Sequence, residues 1–120
     1  MNTTMSRSWS DIYKTEWASK RLDDVLPKAI VELPRKDVVR EFYGGADSTL
    51  RRDLLCLVPM KVRPLGFDFI SQDESFSRSS IKVLFEFRKL VKKYQYETAV
   101  RLIHQTMEEI YGIQECTTSR

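Results

Sequence analysis

The chain has 120 residues, 42% hydrophobic and 31% charged, a globular balance that excludes a wholly disordered chain or a collagen-like repeat. Its 20 Lys and Arg against 17 Asp and Glu leave a net charge of +3, short of what a dedicated nucleic-acid binder concentrates. The longest apolar run, Leu54-Leu55-Cys56-Leu57-Val58-Pro59-Met60, falls far below the roughly 20 residues of a membrane span, and Cys56 and Cys116 suit a reducing compartment better than a disulfide framework.

Residues 1–10 are rich in Ser and Thr and hold no apolar stretch, so a flexible start without a secretory leader is expected. Ser10 and Asp11 can cap a helix from Asp11 to Leu22, near which Trp9, Tyr13 and Trp17 recur every fourth residue, as core or as a partner-binding stripe. Pro27 and Pro34 punctuate the chain beyond it. Pro34 fits the start of a helix over Arg35–Tyr43, stopped by Gly44-Gly45, with Val38, Val39 and Phe42 as its inner face.

Asp47 or Ser48 can cap a third helix, Thr49–Val58, in which Leu50, Leu54, Leu57 and Val58 keep helical spacing until Pro59 ends it. Cys56 within it reads as a small core residue. Between Met60 and Phe69 the period changes to two, with Arg63-Pro64-Leu65-Gly66 as a turn, which predicts a short β-hairpin near residues 60–69. The Ser-rich stretch Ser71–Ser80 is expected to be a polar loop.

From Ser80 to Lys93, Val83, Leu84, Phe87, Leu90, Val91 and Tyr94 fall within an arc of roughly 120°, which predicts an amphipathic helix. From Tyr96 to Gly112, Ala99, Val100, Ile103, Met107 and Ile110 form a second stripe, opposite Glu97, Arg101, His104, Gln105 and Glu108. The break at Tyr94-Gln95-Tyr96 favours an αα-hairpin over one rod. The expected fold is therefore mainly α: one small helical domain over residues 11–112, closed by that hairpin, with a loose tail at 113–120.

The sharpest functional feature is the basic arc of the first of these two helices. Lys82, Arg88, Lys89, Lys92 and Lys93 face the single acid Glu86, and Ile81 and Phe85 sit among them, away from the main apolar stripe. A solvated helix face is the plain reading of such a charge run. An aromatic amid cations is also what a surface needs to dock an acidic-apolar partner or to stack on single-stranded nucleic acid. Ser80 stands two residues before Lys82, a minimal kinase pattern, and a phosphate there would favour the helix start. His104 has no Cys, His or Asp with which to complete a zinc set and is expected to be exposed. No catalytic motif is present, so neither an enzyme, a cofactor nor a metal is expected.

The segments Val83-Leu84-Phe85-Glu86-Phe87-Arg88-Lys89-Leu90-Val91-Lys92-Lys93, Tyr96-Glu97-Thr98-Ala99-Val100-Arg101 and Glu108-Glu109-Ile110-Tyr111 resemble the central helical segment of the precoat proteins of plant geminiviruses. Leu55–Val62 and Phe76-Ser77 are loosely similar to the region preceding that segment in the family, so the resemblance spans residues 55–111. It implies a small non-enzymatic viral factor that suppresses host RNA silencing and aids viral spread. The implied partner is a host silencing-pathway protein or RNA, met in the cytoplasm, around the nucleus or within it. It further implies that Arg88, Lys89, Lys92 and Lys93 carry the contact and that Ser80 is phosphorylated. Tyr96-Glu97-Thr98-Ala99 also looks like the inter-helix step of tetratricopeptide-type hairpins. Two classes remain: a viral or regulatory adaptor binding through the basic face, and a helical subunit or assembly factor of a larger intracellular complex, with self-association open in either.

Overall fold

The computed structural model describes residues 20–70 and 74–118. In chain order these hold α1 (Leu22–Val25), β1 (Glu32–Pro34), α2 (Arg35–Phe42), α3 (Asp47–Leu57), β2 (Ser75–Ser77), α4 (Arg78–Tyr94) and α5 (Tyr96–Thr118). Mainly helical architecture and a C-terminal helix pair are as the periodicities predict. Trp9, Tyr13, Trp17 and nearly all of the expected Asp11–Leu22 helix lie outside the described residues. Of that stretch Lys20 and Arg21 are not helical, and Leu22 opens the short α1, where the Asp24 carboxylate accepts from the Arg21 backbone N–H at 2.9 Å.

The sheet has two antiparallel strands, but they are not residues 60–69. They pair Glu32 with Ser77, Leu33 with Phe76 and Pro34 with Ser75. The alternation of Phe67 and Phe69 does record burial, since both rings are in the core, yet their backbone is loop. Phe69 stacks on Phe76 of β2 with centroids 4.3 Å apart, so it packs against the sheet instead of joining it.

Each strand runs directly into a helix, and the two units clasp each other. Pro34 and Ser77, both with extended backbone, precede α2 and α4. The Arg35 backbone N–H donates to the Glu74 carbonyl at 3.0 Å, and the Arg78 N–H donates to the Val31 carbonyl at 2.8 Å. The first amide of each helix, which has no acceptor inside its own helix, thus finds one on the opposite strand's side. Ser77 adds a cap, its Oγ accepting from the Ser80 N–H at 3.2 Å.

Helix α4 is the axis of the core. Ile81, Val83, Leu84, Phe85, Phe87 and Val91 are all buried, so its apolar surface extends well beyond a single stripe, the pattern of a helix surrounded by protein. Helix α5 returns along it with Ala99, Ile103 and Met107 buried, and it continues past Gly112 to Thr118. Arg78 fastens the other end. Its guanidinium donates to the carbonyls of Pro27 at 2.6 Å, Ile30 at 2.7 Å and Leu26 at 2.7 Å, and to Asp23 Oδ1 at 3.0 Å. Gly66 closes the 63–66 turn at φ 92°, a backbone that favours glycine, and a Cβ there would also have to displace the Tyr111 hydroxyl.

Candidate functional site

Asp53 lies on α3 three residues from Leu50 and four from Leu57, on the apolar stripe, and it is fully buried. A carboxylate there requires partners, and three surround it. Tyr43 Oη donates to Oδ2 at 2.7 Å, Tyr96 Oη donates to Oδ1 at 2.7 Å, and Arg88 Nη1 sits 3.1 Å from Oδ1. Arg88 Nη1 also donates to the Tyr96 oxygen at 3.0 Å, closing a ring of contacts across α3, α4 and α5. Burial pushes the Asp53 carboxyl above its ordinary value, against the pull of Arg88 and the two phenols. Burial first, and the Asp53 carboxylate next, push Tyr96 up to about 12.

Above this network opens a cleft of about 630 Å³. Its walls are Ser48, Thr49 and Arg52 of α3, Arg88, Val91 and Lys92 of α4, and Gln95 and Tyr96 at the turn into α5. Three are cationic, and none of the described residues lining it is acidic. The Arg52 guanidinium lies 4.3 Å from the centroid of the Tyr96 ring, whose hydroxyl the buried network holds in place. Gln95 caps α4 with φ 83° and ψ 167°, its N–H donating to the Val91 carbonyl at 2.9 Å. That region of backbone space belongs almost wholly to glycine, and a side-chain-bearing residue there costs about 1–3 kcal/mol.

The expected basic arc does not survive as one surface. Phe85, expected at the surface, is 1% exposed and meets Phe42 edge-on at 6.1 Å; Ile81 is equally buried. The reason is that α2 and α3 cover the side of α4 that a one-sided amphipathic helix would leave to water. Arg88 is likewise buried in its pair with Asp53. Lys89 pairs with Glu86 at 3.3 Å and donates to the Lys20 carbonyl, and Lys82 lies 5.3 Å from the Tyr111 ring. Lys93 is exposed beside Tyr94, and Lys92 lines the cleft.

Ser80, the candidate phosphorylation site, is fully buried. Its hydroxyl donates to Asp68 Oδ1 at 2.6 Å and accepts from the Asp68 N–H at 3.0 Å, so a kinase has no access and a phosphate would meet a carboxylate. These hydroxyls of Ser77 and Ser80 hold the Asp68 carboxyl below its usual range. His104 is half-buried, its Nε2 against the Val62 carbonyl. Among the described residues no group of three His, Cys, Asp or Glu could hold a metal ion, and no helix is long and apolar enough to cross a membrane.

Arg52, Tyr43, Asp53, Gln95 and Tyr96 are absent from the sequence-derived site. A signal for two residues of the network was present: Asp53 and Arg88 each occupy a stripe position, the latter four residues after Leu84 and three before Val91, and opposite charges on two apolar stripes imply each other. The chain matches no protein-family model, no curated protein and no solved structure.

Proposed function

We propose that the chain is a non-enzymatic adaptor of the kind its resemblance to geminivirus precoat proteins implies. In this reading it suppresses host RNA silencing and aids viral spread, in the cytoplasm or nucleus, by holding RNA through its phosphate backbone. The observation that carries the reading is the cleft beside Tyr96, where Arg52 and Lys92 line an open concavity and none of the described lining residues is acidic. Tyr96 adds a rigid ring whose orientation is fixed from below by Asp53. A charged groove beside an aromatic is the combination that tracks a nucleic-acid strand.

The test is binding of a labelled single-stranded RNA across a salt series. Two phosphates neutralised by Arg52 and Lys92 give a slope of log affinity on log salt near about −1.4, at about 0.7 per phosphate. Arg52→Glu with Lys92→Glu abolishes that binding, and with it silencing suppression in a leaf reporter, while the far-ultraviolet spectrum stays helical. Affinity that is flat in salt would remove RNA from the reading. A wild-type chain that suppresses nothing in the leaf would remove the viral role.

A further inference from the structure

Gln95 supplies something that phosphate binding alone does not need. Arg52 and Lys92 donate hydrogen bonds and never accept them, which suits phosphate oxygens. A carboxamide both donates and accepts. This one sits in the cleft wall next to Tyr96, on a backbone at φ 83° and ψ 167° that glycine would adopt without strain. A side chain kept at such a position, with a capacity its cationic neighbours lack, matches a ligand that brings donors and acceptors of its own.

We infer that Gln95 is the specificity-determining residue of the cleft, hydrogen-bonding the free edge of an unstacked base while Arg52 and Lys92 hold the adjoining phosphates. The inference rests on the RNA reading above and narrows it to single-stranded RNA, because in a duplex the base edges are paired and the grooves admit little side-chain contact. Tyr96 stands next to Gln95 in the chain and lines the same cleft, with the Arg52 guanidinium over its ring.

The experiment compares the wild-type protein with Gln95→Gly and Gln95→Asn. Each is titrated with four short homopolymeric single-stranded RNAs and with inorganic polyphosphate of matched charge, which has phosphates and no bases. The wild type separates the best from the worst RNA by about tenfold or more. Gln95→Gly compresses that spread to about twofold, leaves polyphosphate affinity unchanged, and raises the thermal midpoint by several degrees as the backbone relaxes. Gln95→Asn keeps an amide on a shorter arm at the same strained backbone, so it retains part of the spread and leaves the thermal midpoint where it is. An undiminished spread in Gln95→Gly overturns the inference, as does a wild type that treats all four RNAs alike while still binding polyphosphate. Binding to neither RNA nor polyphosphate overturns the RNA reading itself along with it.

Discussion

Arg78 and Arg88 stand on the same helix, and both carry a guanidinium into the protein, yet the surroundings they meet are of opposite kinds. Arg78, at the first turn of α4, is received mostly by main-chain carbonyls, with Asp23 as an exposed ionic partner. Arg88 is received by a fully buried carboxylate and a phenol. The first is a clasp of neutral dipoles around a cation, tying α1 and the chain after it to the sheet. The second is an ion pair whose two members are stable only together, and its arginine lines the cleft. One end of α4 therefore holds the fold, and the other shapes the proposed binding surface by the same kind of side chain.

Removing one member of each arrangement separates them. Asp53→Ala leaves the Arg88 charge buried without its carboxylate and is expected to cost about 3–5 kcal/mol in chemical denaturation, the largest single effect in the molecule. The double variant Asp53→Leu with Arg88→Met removes both charges and recovers only part of that loss, because the Tyr43 and Tyr96 hydroxyls lose the carboxylate they donate to. A wild-type midpoint for Asp53→Ala would erase the distinction between the two arginines.

At the other end, Arg78→Ala loses charged hydrogen bonds to carbonyls that can turn to water, and about 1.5–3 kcal/mol is expected. The loss is local, so amide hydrogen exchange should accelerate over residues 26–31 before it does around Asp53. Uniform acceleration would show that the two ends of α4 are one cooperative unit.

The smallest effect is a titration. The phenol of Tyr96 has its pKa raised in the folded state from 10.0 to about 12. The network's contribution is thus complete below pH 10 and is lost as the pH rises through about 12. Tyrosinate absorbance should show a late phase in that window, diminished in Tyr96→Phe; burial raises the Tyr111 phenol as well, and it contributes to what remains. Ionisation of every phenol in one early phase would place Tyr96 in water instead of against Asp53.

How much of the fold and the cleft was readable depends on distance along the chain. The stops at Gly44-Gly45, Pro59 and the α4–α5 turn lie in local chemistry, and the helices around them fall where periodicity puts them, within a residue or two, except that α5 continues past the expected end at Gly112 to Thr118. The sheet was not readable, because each strand is three residues long and contributes one inward side chain, Leu33 or Phe76, too few to establish a period. The nature of α4 was hidden for a different reason. A helical wheel assigns one wet face to each helix, whereas Phe85 and Arg88 are covered by Phe42 and Asp53, partners more than thirty residues away in sequence. The cleft inherits that difficulty, being assembled from α3, α4 and the start of α5. Only Lys92 and Arg88 of its lining belong to the basic run that the sequence displays.

The reciprocal bonds between the two strand–helix units also bear on how the chain folds. The leading amides of α2 and α4 find their protein acceptors only when the two units are together, because each unit lends a carbonyl to the other's helix. Closing the intervening segment carries an entropic cost that neither unit recovers by itself. Docking of residues 31–35 against 74–78 therefore gives both leading amides their acceptors together, and separating the two units would take both away.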